Sequence, residues 1–395
     1  WGGWERAIDI IARDVKVRSS SGGSVAVLPQ VSLGLSVRAL TQGIVAPTSL
    51  EIIAPRLFLR RYEDGHLSLS VLTQDAEGGD QEDGGDGLAM LGGFLVPPDT
   101  STALGYLTSI SILNARITFD DQLQDLLWQA PDAHFTVVRD AQGVFGQLEG
   151  DVTTDGHQVA LIAELSRSFG ESDVDANVSL GGVTVGMLSK LYPMLTPYLV
   201  PDSSFDGRVQ GRFDAATGRP RALDLDLSSS LGRISGETTF ANDGQSLVGT
   251  MKFSAINPSL LARQSTELAA LEALDSEIQG QVRFSGWVDG RMDELDITAA
   301  GSAGRLFLPR ADPIEFDALT LDMQVARPNG DATLSRLMID LGQGSTAEVT
   351  GKARFGGKEG LEVQVDGVLS DFSMDRLDGY WPSNLALDAR NWVTG

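Results

Sequence analysis

Few residues in this chain have the types and spacing that catalysis or metal binding requires. Asp224 and Asp226 point to the same side of a predicted strand, where a pair of carboxylates can in principle bind a divalent cation. They alternate with Leu223, Leu225 and Leu227, however, and this pattern is typical of a strand with one apolar and one solvated face. We therefore interpret the two aspartates as part of an outer surface and not as a metal site.

The other residues with chemical potential are isolated. His66, His134 and His157 show no spacing typical of metal ligands or of a catalytic base and its partner. Residues 84–87 (Gly-Gly-Asp-Gly) resemble one calcium-binding glycine repeat, but Ala89 stands where that repeat has Asp, and the unit is not tandem. We find no P-loop, dinucleotide fingerprint or Gly-x-Ser-x-Gly motif. The sequence predicts no catalytic residues, no metal site and no cofactor, and hence a protein that is not an enzyme.

Composition narrows the classes of partner. The 395 residues are 42% hydrophobic and carry a net charge of -24, which argues against nucleic acid binding because that requires clustered Lys and Arg. The same charge disfavours polybasic attraction to anionic lipid. Since there are no cysteines, disulfides, thiolate zinc sites and cysteine nucleophiles are excluded.

The sequence shows neither a membrane span nor a signal peptide. No stretch approaches 18 consecutive apolar residues, and the residues after Trp1 lack the charged and apolar regions of a signal peptide. Residues 390–395 resemble the start of a helix interrupted within a motif. We therefore expect this chain to be a piece of a longer protein.

Alternation of apolar and polar residues with a period of two dominates the chain and predicts a mostly β fold. Turn sequences such as Asp64-Gly65 and residues 328–330 (Pro-Asn-Gly) separate the runs, as antiparallel connections require. Early runs extend from Val31 to Val37 and from Leu67 to Val71. The later runs supply our candidates for the lining of a lipid-binding groove: Leu223, Leu225, Leu227, Leu247, Met251, Phe253, Val282, Phe284, Leu319, Leu321, Met323, Val325, Leu337, Ile339, Leu341, Leu361, Val363 and Val365.

Helices are predicted to be few and to cap the sheet. The longest predicted helix covers residues 257–276, where leucines recur near helical spacing after the Asn257-Pro258 start signal. Others are expected at about 183–199, over 101–107 and from about residue 371.

The sequence also repeats itself, which predicts a fold built from units of one helix followed by several strands. Shifted by 72 residues, the segment 223–225 (Leu-Asp-Leu) aligns with 295–297 (Leu-Asp-Ile). We divide the chain into an N-terminal groove segment, 1–170, with an acidic flexible loop at about 74–87, and a repeat region, 171–395. The region contains units at about 183–255 and 256–327, further strands, and the start of a third unit.

The predicted helices are too few to cover one face of the predicted sheet. About 20 strands of five residues give one sheet face of roughly 1,600 Å², whereas three or four helices cover only about 900 Å². The remaining apolar strip either closes against a second sheet as a sandwich or barrel, or lines an open groove that holds an apolar ligand. The repeat favours the groove, because each unit adds more sheet than helix.

Motifs in order along most of the chain carry a family resemblance. They comprise Ala12–Arg18, Leu28–Leu33, Ala46-Pro47 with Leu50–Ile52, Pro55–Leu59, Asp64-Gly65, Tyr380-Trp381-Pro382, Leu385, Arg390 and Trp392-Val393. With these motifs the chain resembles the YhdP-type branch of the AsmA-like superfamily, whose relatives include TamB and the bridge-like lipid-transfer proteins. It departs from that pattern by its acidic insertion and by lacking the membrane anchor.

The resemblance implies a periplasmic body of a Gram-negative cell envelope, anchored in the inner membrane through a segment not present in this chain. Its fold would be an elongated, twisted antiparallel sheet curled into an open hydrophobic groove. Phospholipid acyl chains would occupy the groove during transport between inner and outer membrane, as outer membrane biogenesis requires. Protein partners are not identified by the sequence.

Two other functions compete with lipid transport. One is a non-enzymatic structural or assembly module of the envelope, with a closed β core and an acidic surface that binds protein partners. The other is a carbohydrate-binding β-solenoid, which only five tyrosines and scattered tryptophans make a poorer match.

Overall fold

The computed structural model describes residues 8–18, 24–64, 66–71, 96–123, 126–154, 157–184, 187, 203–241, 243–262, 266–289, 291–307, 313–326, 331–356 and 360–371. The protein is mostly β, with an open, mixed but largely antiparallel sheet and a few short helices. This confirms the predicted β class. The acidic loop at 74–87 and the helices expected near 371 and over most of 183–199 lie outside the described residues. The groove and the repeat stay predictions.

The chain divides into two units, of which the first contains Trp1–Val183 with Arg208–Arg219 and the second Thr184–Gly207 with Pro220–Gly395. The strands of unit 1 are β1 (Ile8–Arg18), β2 (Ser24–Leu35), β3 (Pro47–Ile53), β4 (Arg56–Arg61), β5 (Leu67–Val71), β6 (Ser109–Asp121), β7 (Leu126–Arg139), β8 (Gly143–Thr154), β9 (His157–Ser168) and β10 (Asp173–Thr184). The strand β11 (Ser204–Asp214) has residues in both units.

Unit 1 departs from the antiparallel prediction at one place. β3 and β4 both pair in parallel with β6, the first along Ser109–Leu113 and the second along Arg116–Asp121. β3 is antiparallel to β2, and β6 through β10 form consecutive antiparallel pairs. This parallel step could not be predicted, because side chains alternate with a period of two in both kinds of pairing.

Kinks at matching positions cross several strands of unit 1. Asp14 on β1, Ala54 between β3 and β4, and Asn114 on β6 all have φ of 53°, which is rare for residues other than glycine. Small side chains, including Ala115 and Ala133, are buried beside this line. The register of β6 against β7 shifts at Asn114, which marks a bulge, and a bulge bends its strand and increases the local twist.

The described residues of unit 2 form nine strands in consecutive antiparallel pairs and a separate three-stranded sheet. The nine are β12 (Pro220–Ser229), β13 (Gly232–Phe240), β14 (Ser246–Ile256), β16 (Ile278–Trp287), β17 (Met292–Gly301), β20 (Ala318–Ala326), β21 (Asp331–Asp340), β22 (Thr346–Gly356) and β23 (Gly360–Ser370). The small sheet consists of β15 (Leu274–Asp275), β18 (Gly304–Leu306) and β19 (Ile314–Phe316).

The described helices are short. α1 (Val37–Thr41) begins after Ser36, whose hydroxyl accepts a hydrogen bond from the Ala39 amide. Val37 therefore starts a helix, although alternation predicted it as the last residue of a strand. A 3₁₀ helix at Ala103–Tyr106 agrees with the helix expected over 101–107.

The helix predicted over 257–276 is wrong in length. The structure has α2 (Pro258–Ala262), a 3₁₀ segment at Thr266–Ala273 and then β15. Leu274 and Asp275 pair with Leu306 and Arg305 in the small sheet, so tertiary pairing overrides the helical spacing of the leucines. The main strands also run longer than the five residues assumed, so the area of the sheet is larger than estimated.

Candidate functional site

Strand register in unit 2 brings apolar residues of nine strands to one face, which we call the apolar face. Directly opposed residues of paired strands share a face of the sheet. One such row contains Leu227, Ile234, Phe253, Gly280, Ala299, Leu321, Leu337, Val349 and Gly367. The next contains Leu225, Gly236, Met251, Val282, Ile297, Met323, Leu334, Gly351 and Val365.

The candidate lining residues from the sequence share this face. A third row contains Leu223, Phe284, Val325 and Val363, and Leu247 lies opposite Gly286. Leu319 and Ile339 oppose each other, Leu341 follows two residues later, and Leu361 opposes Phe355. The side chain of Leu361 lies outside the described residues. Alternation within each strand thus identified residues that the pairing of the strands brings together on the apolar face.

The opposite side of the same strands, which we call the polar face, carries charged and hydroxyl side chains. One row across it contains Asp226, Ser235, Lys252, Gln281, Thr298, Asp322 and Arg336. Asp224 lies two residues from Asp226 on this face and opposes Glu237. Asp226 faces a cation across the strands, since Nε of Arg233 lies 3.9 Å from its Oδ1. The two aspartates therefore belong to the solvated surface.

Burial differs along the apolar face. The small sheet covers one end, where Phe316 packs with the buried Leu319, Ile339 and Leu341, and Leu306 contacts the same cluster. At β23, Val363 and Val365 are 55% and 61% exposed. The remaining described candidates are half-buried: Leu223, Leu225, Leu227, Leu247, Met251, Phe253, Val282, Phe284, Leu321, Met323, Val325 and Leu337.

Glycines occupy several positions on the apolar face and let long side chains lie across neighbouring strands. On the paired strands β14 and β16, Gly249 of β14 lies opposite Phe284 of β16. Four residues further along β14, Phe253 lies opposite Gly280 of β16. A Cβ at Gly249 or Gly280 would collide with the ring opposite. Aromatic side chains that cover strand glycines are a known way to stabilise such positions.

Unit 1 has an apolar face of its own, which our candidate set did not include. A row across it contains Ile10, Leu33, Leu50, Ile110, Val137, Gly146, Leu165 and Ala176. Alternation at Ile110 and Ile112 was a usable signal, but joining these strands to β3 required the parallel pairing that the sequence does not reveal.

The titratable residues do not converge on one place. His66 stacks on Tyr62 with ring centroids 4.3 Å apart, and its Nδ1 lies 3.2 Å from Oδ1 of Asp64. The backbone N–H of His66 lowers the pKa of Asp64. On β7, Nε2 of His134 is 3.6 Å from Oδ1 of Asp132, two residues away on the same strand. Within the described part of the chain, no three His, Asp or Glu residues are grouped to hold a metal ion.

Comparison with known proteins gives no relative: no family model, curated protein or solved structure matches this chain. Among the described helices, none has the length and hydropathy to cross a bilayer. The two-faced sheet is therefore the feature from which a function must be argued.

Proposed function

We propose that this chain binds the acyl chains of phospholipids on the apolar face of unit 2. The single observation that carries the proposal is the row-by-row match of apolar residues across nine strands, with the polar face directly behind it. Continuous apolar strips of this kind are rare on soluble proteins unless they bind something.

The chemistry of the face suits a flexible hydrocarbon chain. Leucine, methionine, valine and phenylalanine offer dispersion contacts without directional hydrogen bonds, and each buried CH₂ of a lipid contributes about 0.8 kcal/mol. Such a surface distinguishes headgroups weakly and lets the chain slide. Those two properties are what a transfer protein needs.

Glycine placement supports curvature toward the apolar face. Gly236, Gly249, Gly280 and Gly351 all lie on that side, opposite Met251, Phe284, Phe253 and Val365. Side chains crowd together on the concave side of a bent sheet, so residues without a side chain are favoured there. This is the arrangement expected of an open hydrophobic groove built from repeated strands.

The cellular setting of the proposal is the Gram-negative periplasm. The family resemblance of the sequence supports an inner-membrane anchor outside this chain and movement of phospholipid between inner and outer membrane. In that setting the unit acts as one segment of a longer conduit and not as an enzyme.

A structural or assembly module of the envelope is the second candidate, and one observation favours it. The small sheet already closes one end of the apolar face over Leu319, Ile339 and Leu341. If other parts of the protein close the rest in the same way, the face is a core, and the acidic surface is what binds partners.

Photocrosslinking from matched positions separates the two functions. A photoreactive amino acid replaces Met251 on the apolar face or Thr250 on the polar face of the same strand, and the protein is produced in Gram-negative cells. We expect crosslinked phospholipid from position 251 and none from position 250, detected by mass spectrometry of the purified protein.

The outcome is decisive in either direction. Crosslinks from Met251 to protein segments alone, in a protein whose organic extract contains no phospholipid, would reject lipid binding and support the closed module. Equal lipid capture at both positions would indicate adventitious association and would also reject the proposal.

A further inference from the structure

The polar face of unit 2 contains a depression of about 610 Å³ across β13, β14, β16 and β17. Arg233, Ser235, Lys252, Ser254, Gln281 and Thr298 contribute to its wall. Its position follows from a bulge in β14: Ala255 has φ of 55°, and the register with β16 shifts between Phe253 and Ile256. The bulge bends the strand next to short side chains, and this leaves a concave surface between longer ones.

Two cations line this depression in a crossed arrangement. Arg233 opposes Ser254, and Lys252 opposes Ser235 on the same pair of strands. The two positive side chains are therefore diagonal neighbours, about 7–8 Å apart at the backbone, and the two hydroxyls occupy the other diagonal. Both cations have the reach to contact one anion while the serines donate to it.

The charge of the depression is opposite to that of the chain. The protein has 54 acidic and 30 basic residues, yet no Asp or Glu contributes to the wall among the described residues. Asp226 and Asp322 lie at the two ends of the depression, and Oδ1 of Asp226 is 3.9 Å from Arg233 Nε, an ion pair longer than a hydrogen bond. Because salt screens distant charges beyond about 8 Å, the local cations decide what binds.

We propose that this depression is a binding site for the phosphate group of a soluble, phosphorylated molecule. An arginine, a lysine and several neutral donors around one point match the several acceptor oxygens of phosphate. The site is separate from the acyl-chain site, because the two lie on opposite faces of the same strands. An anionic membrane is a poor occupant, because a flat surface that reached this depression would also meet Asp226 and Asp322, which flank it in the same row of the polar face.

Calorimetric titration of the whole chain with inorganic pyrophosphate tests this site. Lys252→Gln and Arg233→Gln each remove one donor, and loss of one charged hydrogen bond weakens affinity by about tenfold. Lys352→Gln is the matched control, because Lys352 lies on the same polar face two strands beyond β20 and its replacement changes net charge equally. Circular dichroism establishes that all variants remain folded.

We expect saturable binding that Lys252→Gln and Arg233→Gln weaken and that Lys352→Gln leaves unchanged. No saturable binding, or equal weakening by the lysine control, would overturn the assignment and leave only nonspecific charge. Vesicles of phosphatidylglycerol form the second arm. Binding to them without binding to pyrophosphate would assign the surface to lipid headgroups and reject a soluble ligand.

Discussion

The ring of Phe284 on β16 lies directly over Gly249 on β14, in the middle of the apolar face. Phe253 lies over Gly280 in the same way on the same pair of strands. Each aromatic ring thus fills the space above the glycine that it opposes. The pair of contacts fixes the register of the two strands, because a slip by one residue moves every apolar side chain to the polar face.

The first prediction concerns this packing. Gly249→Ala places a methyl group against the Phe284 ring and 2.8 Å from the Glu237 carbonyl oxygen. We expect the free energy of unfolding in urea to fall by about 1–3 kcal/mol, as for other overpacked sites. Gly367→Ala is the control on the same face, since its new methyl meets only contacts at 3.8 and 4.0 Å. If Gly367→Ala lowers the free energy of unfolding as much as Gly249→Ala does, the packing argument is contradicted.

The second prediction separates open from covered parts of the apolar face. Ile339 is 8% exposed beneath the small sheet, whereas Leu321 is half-buried. Ile339→Asp buries a charge without a partner and should lower the melting temperature and unfold the surrounding strands. Leu321→Asp should leave the far-ultraviolet spectrum intact and remove bound lipid.

Thr320→Asp provides the control for the second prediction, because Thr320 is adjacent to Leu321 and lies on the other face. It should alter neither folding nor lipid content. If Leu321→Asp unfolds the protein as Ile339→Asp does, the whole face is a closed core and the lipid proposal loses its main support.

The third prediction concerns a buried cation in unit 1. Arg139 is 3% exposed and donates hydrogen bonds from Nη2 to the carbonyl oxygens of Leu104 and Leu107, at 2.7 and 2.8 Å. It thereby satisfies carbonyls at the end of the 3₁₀ helix. Arg139→Met should cost about 2–4 kcal/mol of unfolding free energy, since hydrogen bonds from a charged group are lost and the Leu107 carbonyl stays buried.

Burial lowers the pKa of Arg139, yet an arginine stays charged at any pH at which proteins are handled. The loss in Arg139→Met should therefore be the same at neutral and mildly alkaline pH. The exposed Arg38 is a suitable control, and Arg38→Met should change stability little. If Arg38→Met and Arg139→Met lower the free energy of unfolding by similar amounts, Arg139 does not stabilise the fold through its buried contacts.

The fourth prediction is a pH dependence at the turn between β7 and β8. The amides of Gln142 and Gly143 donate to Oδ1 of Asp140 and lower the pKa of that carboxyl from 3.8. A depressed pKa means that the ionised form stabilises the fold. That stabilisation is present above the unfolded-state pKa and is lost as pH falls through the folded-state pKa.

Amide hydrogen exchange at Gln142 and Gly143 measures this effect. Protection, corrected for the intrinsic exchange rate, should decrease on acidification below pH 4 in the native chain. In Asp140→Asn the same protection should be lower at neutral pH and nearly independent of acidification. An acid response that is unchanged in the variant would assign the effect to another carboxyl.

The family resemblance and the repeat remain predictions, and the strand pairing bears on the repeat. Residues 232–240 form β13 within the main sheet, whereas the shift of 72 residues places Gly232-Arg233 over Gly304-Arg305, which belong to the small sheet. The aligned segments 223–225 and 295–297 both lie in main-sheet strands. Sequence similarity at a fixed shift therefore does not guarantee the same pairing, because pairing depends on neighbours that differ between the two segments.

The sequence alone determined that the protein is mostly β and which residues of each strand share a side, because side chains alternate with a period of two whatever the partner strand is. It placed Leu321 and Leu225 among apolar positions and Asp226 among solvated ones for this local reason. It did not reveal the parallel step at β6, the strand at Leu274–Asp275 within the predicted helix, or the small sheet over Ile339. These features depend on contacts between residues far apart in the chain, so only the tertiary structure decided them. The same long-range registers joined the separate apolar runs of unit 2 into one continuous face.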